Sequence, residues 1–155
     1  MPEKQIDKKE AESLHALRVH LKANLYILEE LKRDMRKKGL SENEFTVLEL
    51  LYNRGQQPIQ QIGKRILIPS SSLTYVIDRL EDKGFVERTN NPEDRRVIYA
   101  KITDEGNKKM AEVFPGHSQI IAKMFENLSL EEIDTFIRLT KKIGLQAQDI
   151  LEDNN

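Results

Sequence analysis

A change in the spacing of apolar residues constrains the fold of this chain more than any other feature. Along most of its 155 residues, apolar side chains recur every three or four positions, which is the spacing of one face of a helix. Residues 85–102 instead contain two runs rich in β-branched and aromatic residues, separated by turn-forming residues at 90–94. We therefore predict a mainly α fold with a small β-hairpin inside it.

The first predicted helix is long. Its apolar face consists of Leu14, Leu17, Leu21, Leu25, Leu28, Leu31 and Met35. The polar residues 1–10 are expected to be frayed, and the helix is expected to end at the basic run 36–38. Cations favour a helix C-terminus, and Gly39 can adopt the left-handed cap that follows. A helix of this length exceeds what one small core can cover, which favours a dimer.

Capping signals place two further helices. Ser41 and Glu44 form a predicted capping box, in which the serine accepts from a free N–H and the glutamate accepts from the serine N–H. This box opens the second helix, which Gly55 closes. Ser129 and Glu132 repeat the pattern at the start of the last helix.

Prolines and glycines predict the remaining helix boundaries. Pro58 is expected to start the third helix and Pro69 to end it. Gly84 ends the fourth helix, and Thr103 caps the fifth. The Pro115-Gly116 pair is expected to kink or split that fifth helix, because proline removes a backbone donor.

This order of elements predicts a winged helix-turn-helix within a single domain that covers residues 1–155. Residues 41–102 form the predicted DNA-binding lobe, which consists of short helices followed by the hairpin. Residues 8–38 and 104–151 form a predicted helical dimerisation region.

The composition excludes several classes of site. The chain contains no cysteine, which excludes disulfides, cysteine-ligated metals, thiol nucleophiles and a cysteine redox sensor. His15, His20 and His117 are too dispersed to form a metal site, and we expect them at the surface or at an interface. The sequence contains no phosphate-binding loop, catalytic triad or metal motif. We therefore expect no enzymatic activity, no metal and no cofactor.

Charge and hydropathy limit the kinds of partner that this protein can have. The 25 basic and 26 acidic residues give a formal net charge of −1, so total charge indicates no partner. Within the chain, however, residues 60–101 are modestly basic and the residues from 102 onward are acidic. No apolar run approaches the roughly 18 residues that a membrane span needs. We expect a cytoplasmic protein with no membrane contact.

The second helix of a helix-turn-helix enters the major groove of DNA with its N-terminal residues. Hydroxyl and polar side chains that suit this role are Ser70, Ser71, Ser72, Thr74, Tyr75 and, one turn later, Arg79. Candidates for contacts with the DNA backbone on the preceding helix are Gln60, Gln61 and Lys64. Plain N-capping is the alternative explanation of the serine run.

Asp94, Arg95 and Arg96 lie at the predicted tip of the hairpin. Arginine at such a tip can enter the narrow, electronegative minor groove, and Asp94 is placed to hold Arg96 extended. The alternative is a solvated turn with a local ion pair, which contributes little to stability.

Six segments together resemble the MarR family of bacterial transcriptional regulators, over residues 10–150. They are residues 44–48, 61–63, 70–74, 79–88, 94–96 and 102–106. The most specific part is Arg-Leu-Glu-x-x-Gly at 79–84, followed by Asp-x-Arg at 94–96 and Ile-Thr-x-x-Gly at 102–106. The resemblance implies an obligate homodimer that binds double-stranded DNA, with recognition helices in successive major grooves and wings in the flanking minor grooves. It implies that Arg96 is the wing arginine, that Asp94 orients it, and that the groove readers are Ser70, Ser72, Thr74 and Tyr75.

The resemblance also implies a repressor that a small effector releases from a pseudo-palindromic operator. Some members of the family sense peroxides through a cysteine on the first helix, where this chain has Leu14 and Leu17, so its effector must act by binding. Residues 45–63 resemble members that respond to quinones or related aromatics. The predicted ligand contacts are Leu17, His20, Leu21 and Phe45. The alternative function is a winged-helix protein-interaction module without specific DNA binding.

Overall fold

The computed structural model describes residues 7–66, 68 and 70–153, apart from the side chain of Ser70. Its elements in chain order are α1 (Lys8–Lys37), α2 (Glu42–Arg54), β1 (Gln57–Pro58), α3 (Ile59–Ile66), α4 (Ser70–Asp82), β2 (Val86–Asn90), β3 (Ile98–Ile102), α5 (Asp104–Met124) and α6 (Leu130–Asp153). The predicted class, mainly α with a small β-hairpin wing, is confirmed. The predicted break at Pro69 lies outside the described residues.

The hairpin belongs to a three-stranded antiparallel sheet with the strand order β1-β3-β2. Strands β2 and β3 pair along their full length, from Val86 opposite Ile102 to Asn90 opposite Ile98. The predicted hairpin is therefore present, and residues 91–97 form its tip.

Strand β1 differs from the prediction. Pro58 pairs with Tyr99 of β3 instead of starting a helix, and α3 begins one residue later at Ile59. A two-residue strand shows no alternation of apolar and polar residues, so the sequence carries no signal for it. The sheet tolerates a proline there because β1 lies at its edge.

The predicted helix caps form. Ser41 Oγ accepts from Glu44 N at 3.1 Å while Glu44 Oε2 accepts from Ser41 N at 2.9 Å. Ser129 and Glu132 exchange the same two bonds at 3.2 and 2.8 Å. The predicted terminating glycines, Gly39, Gly55 and Gly84, all adopt positive φ.

Two further differences from the predictions concern α1 and α5. Helix α1 begins at Lys8, because Asp7 caps it by accepting from Glu10 N at 2.8 Å, so residues 8–10 are helical where fraying is predicted. Helix α5 continues through Pro115 from Asp104 to Met124, so of the predicted kink or split the split does not occur. A proline removes a single intrahelical bond, and the helical turns on both sides persist.

The chain forms two compact units, one up to His117 and one from Ser118 onward. Buried residues that form the core of the first unit include Phe45, Leu48, Leu51, Ile62, Ile77, Leu80 and Met110. In the second unit, every residue of α6 is described and none is buried. Among the described residues, no helix combines the length and the apolarity that a membrane crossing requires.

His117 lies inside the first unit with 4% of its surface exposed, so the prediction of a surface or interface position is wrong for this histidine. Its Nδ1 lies 3.5 Å from Asp34 Oδ2, and its ring centroid lies 4.3 Å from that of Phe45. Asp34 also accepts from Lys38. His15 and His20 are exposed on α1.

The start of α5 is tied to the end of α4 at a tight junction. Thr103 Oγ1 donates to Gly84 O at 2.6 Å and accepts from Gly106 N at 3.0 Å, while Thr103 N donates to Phe85 O at 3.0 Å. A Cβ added to Gly106 would lie 2.2 Å from Phe85 O and 2.7 Å from Ile102. Only glycine allows the backbones to approach this closely.

We expect Gly106→Ala to lower the free energy of unfolding by about 1–3 kcal/mol, because the added methyl group forces the packed backbone to shift. Gly116→Ala in the same helix is the control. A Cβ there meets only Lys38 Nζ at 3.8 Å, and alanine favours a helix over glycine by about 0.5–1 kcal/mol. Urea denaturation followed by circular dichroism, at one protein concentration, measures both. A Gly106→Ala protein as stable as Gly116→Ala would contradict this account.

Candidate nucleic-acid interface

Helix α4 has one buried face and one exposed face. Leu73, Val76, Ile77 and Leu80 are at most 4% exposed and fix the rotation of the helix about its axis. The residues between them therefore point outward. Ser71, Ser72, Thr74 and Tyr75 are exposed, and Tyr75 retains 66% of its surface. The side chain of Ser70 lies outside the described residues, although its backbone begins the helix.

The wing presents an arginine held by a neighbouring carboxylate. Arg96 has a side chain that is 92% exposed. Asp94 Oδ1 accepts from Arg96 N at 3.0 Å and from Arg96 Nε at 3.1 Å, and Asp94 Oδ2 accepts from Nη2 at 3.3 Å. These bonds, the side-chain ones first, hold the pKa of Asp94 below its ordinary value of 3.8. Arg95 beside them is also exposed.

The structure brings three of the predicted DNA-binding elements together. A cleft of about 260 Å³ lies between the start of α3, the N-terminal half of α4 and the hairpin. Its lining includes Gln60, Thr74, Arg88 and Arg96. A second depression of about 520 Å³ adjoins it and is lined in part by Gln60, Lys64 and Thr74. Gln61 is exposed on α3. Candidate base, backbone and wing contacts therefore share one surface.

Arg79 of α4, the predicted contact with the DNA backbone, lies near a carboxylate of its own chain. Its side chain is 48% exposed, and its Nε lies 3.9 Å from Glu44 Oε1. Glu44 is 5% exposed and also accepts from Lys83 Nζ at 2.6 Å. Lys83 in turn donates to Gly39 O at 3.1 Å. Glu44 therefore joins the ends of α1 and α4 to the start of α2.

Sequence reasoning identifies Glu44 as a capping residue but misses its link to Lys83, which lies 39 positions later in the chain. It also misses the role of Arg88 on β2, which pairs with Asp78 and Glu81 of α4. Both contacts depend on the tertiary fold. The only sequence signal is the resemblance, since Glu44, Glu81 and Arg88 fall within its segments.

The predicted ligand contacts do not converge within one chain. Leu17, His20 and Leu21 are exposed on the first half of α1, whereas Phe45 is 1% exposed and contacts His117. His117 lies beside Asp34, and Leu17 is separated from Asp34 by about 25 Å of helix at 1.5 Å per residue. The ligand site therefore stays a prediction.

Comparisons with known proteins agree on one family. The sequence profile of the MarR family matches residues 40–98. The chain is 43% identical over 139 residues to the HTH-type transcriptional regulator YkoM of Bacillus subtilis, which covers 90% of each chain. It is also 43% identical over 122 residues to the HTH-type transcriptional regulator MhqR of the same organism, with 79% of this chain and 84% of that protein covered.

The fold is similar to that of Sco3205, a MarR family transcriptional regulator from Streptomyces coelicolor whose crystal structure is a complex with DNA. The TM-score is 0.81 with 86% of each chain covered, and the sequences are 24% identical. At this identity the likeness concerns the fold alone.

The wing pair makes a prediction about pH. Because the pKa of Asp94 is lowered, the pair is complete above the ordinary value of 3.8 and is lost as the pH falls through the lowered value. Arg96→Ala removes the side-chain bonds, so we expect the pKa of Asp94 to rise toward 3.8, whereas Arg95→Ala leaves it nearly unchanged. Carbon-13 NMR titration of the Asp94 carboxyl group measures this pKa in the parent, Arg96→Ala and Arg95→Ala proteins. Equal midpoints in the parent and Arg96→Ala would contradict the pairing.

Proposed function

The chain belongs to the MarR family of transcriptional regulators, and from that premise we propose that it is a homodimeric repressor. It binds a pseudo-palindromic operator and leaves it when a small aromatic or quinone-like effector binds. The observation that carries the proposal is the shared surface on which Thr74 of α4, Gln60 of α3 and Arg96 of the wing line one cleft. The DNA complex of Sco3205, a protein with a similar fold, supports it.

In this proposal α4 enters the major groove and the wing enters the adjacent minor groove. Hydroxyl groups at the start of α4 accept from or donate to base edges and phosphates. The residues proposed to contact the bases are Ser70, Ser71, Ser72, Thr74 and Tyr75. Arg96 enters the minor groove, held by Asp94 and flanked by Arg95. Contacts with the phosphate backbone come from Gln60, Gln61, Lys64 and Arg79.

Exposed apolar side chains support the homodimer. On α1 they include Leu14, Leu17, Leu21 and Leu25, which are 42–56% exposed, and on α6 they include Phe136, Leu139, Ile143 and Ile150, which are 43–69% exposed. Continuous apolar faces of this kind mark interaction surfaces. A two-fold dimer places two recognition helices about one helical turn of DNA apart, which requires a pseudo-palindromic operator.

Effector binding is proposed to release the operator by favouring a dimer whose recognition helices no longer match the spacing of the grooves. A ligand achieves this only through different affinities for the two arrangements. Leu17, His20 and Leu21 are exposed in the single chain, so the proposed effector would contact them at or beside the dimer interface, whereas Phe45 is buried. Because the chain has no cysteine, thiol oxidation cannot be the signal.

Arg96→Ala and Ser72→Ala are each expected to weaken operator binding by about 1–3 kcal/mol, the loss typical of one groove contact. Lys108→Ala is the matched control, because Lys108 is also an exposed cation paired locally with a carboxylate, at 2.8 Å from Glu105. Fluorescence anisotropy with a duplex selected from the parent genome measures all four proteins. The groove assignments are wrong if both variants bind like the parent and the control.

We expect Ile143→Glu to shift the protein from dimer to monomer, because a carboxylate in an apolar interface loses its hydration. Ile143 is 69% exposed in the single chain, so the substitution disturbs no core. Lys141→Glu is the control, since it lies about 200° around α6 on the polar face. Sedimentation velocity gives the mass of each protein. A dimeric Ile143→Glu protein would overturn the proposed interface on α6.

A further inference from the structure

One arginine ties the wing to the recognition helix. Arg88 of β2 donates from Nη2 to Asp78 Oδ1 at 2.6 Å and from Nη1 to Glu81 Oε2, and its backbone N donates to Glu81 Oε1 at 3.0 Å. Asp78 and Glu81 are three residues apart on α4 and therefore lie on the same face. Both ends of the guanidinium and the strand backbone are thus anchored to one turn of the helix.

The charges around Arg88 differ from those around the wing arginine. The side chain of Arg88 is 27% exposed and faces two carboxylates, so its positive charge is fully compensated. Arg96 faces one carboxylate and is 92% exposed. A compensated cation attracts phosphate weakly, because nearby carboxylates oppose the approach of another anion. Arg88 lines the same cleft as Arg96, but its charge is compensated, so it is suited to hold protein elements together and poorly suited to bind phosphate.

Arg88 is connected to both candidate DNA-binding elements, the helix α4 and the wing. Asp78 lies one helical turn after Thr74 and Tyr75, which are exposed at the start of α4. Arg88 itself pairs in register with Ala100 of β3, the strand that leads back to Arg96. The ion pairs thus connect the helix for one groove to the hairpin for the next.

We propose that Arg88 is a positioning residue: it acts by fixing the distance between the first turn of α4 and the tip of the wing, and not by binding phosphate. The inference rests on the proposed function, because the fixed distance matters when two adjacent grooves must be engaged together. The planar guanidinium can hold two carboxylates in a defined geometry, whereas an ammonium group acts as a single point charge. Lysine at this position therefore keeps the charge but loses the geometry.

The substitution Glu81→Gln separates positioning from phosphate contact, because the two roles predict opposite signs. If Arg88 positions the wing, neutralising its partner weakens specific binding. If Arg88 contacts phosphate, neutralising the carboxylate frees a cation and strengthens binding. Glu87→Gln is the matched control, because the charge change is the same and Glu87 lies next to Arg88 on β2. Its partner at 3.4 Å, however, is Lys101 of β3, so this substitution breaks no link between the hairpin and α4.

Operator affinity and its salt dependence are measured for the parent, Glu81→Gln, Arg88→Lys and Glu87→Gln. We expect a loss on the order of tenfold for Glu81→Gln and for Arg88→Lys, with binding of a scrambled duplex and the salt slope retained, because no phosphate contact is removed. Glu87→Gln is expected to bind at least as well as the parent. Tighter binding by Glu81→Gln together with parent-like binding by Arg88→Lys would overturn the proposal. So would equal behaviour of Glu81→Gln and Glu87→Gln.

The positioning role of Arg88 can also be tested without DNA. Because the chain has no cysteine, a protein with both Ser72→Cys and Arg95→Cys takes up nitroxide labels only at these two positions, one on α4 and one on the wing. Labelled chains diluted with unlabelled chains report the distance within one chain by pulsed electron resonance. We expect the distribution of distances between the two labels to broaden with Glu81→Gln and to stay narrow with Glu87→Gln. If the distance distribution broadens but the unlabelled parent binds no duplex, the proposed function alone is refuted. Unchanged distributions would refute the positioning role.

Discussion

Burial of the apolar face of α4 is the constraint on which the candidate interface depends. Leu73, Val76, Ile77 and Leu80 are packed into the core of the first unit, which fixes the rotation of the helix. Four buried aliphatic side chains contribute on the order of 1.5–3 kcal/mol each, far more than an exposed ion pair. The hydroxyls and Tyr75 are exposed as a consequence. The side chains presented on the candidate interface are therefore determined by residues that are themselves buried.

Ion pairs then define how the neighbouring elements meet this helix. Lys83, just after α4, pairs with Glu44 at the start of α2 and donates to Gly39 after α1. Arg88 joins α4 to the hairpin through Asp78 and Glu81. These cations are paired with acids inside the lobe, whereas Arg96 projects from it. This division explains how a chain with a net charge of −1 can present a cationic wing. Placement of single arginines, rather than a large field, would give the interface its affinity.

Local interactions are the part of this molecule that the sequence predicts well. A capping box involves residues three apart, so Ser41 with Glu44 and Ser129 with Glu132 are visible in the sequence, as is the hairpin. Contacts between distant residues are not. The pairing of Pro58 with Tyr99, the burial of His117 and the link from Glu44 to Lys83 each require the tertiary fold. In the candidate site, the residue types were predictable, but their shared cleft and the partners of Arg88 were not.

The salt dependence of duplex binding tests the central claim, that the surface formed by α4 and the wing binds a specific operator. Fragments bound by the protein are selected from the parent genome, and the affinity for one of them is measured from low to physiological salt. We expect log affinity to fall linearly with log salt, because cations on the protein replace counterions on the phosphates. We also expect a large preference for the selected fragment over a scrambled duplex. A protein that selects no fragment and shows no preference for any duplex at low salt would contradict the account.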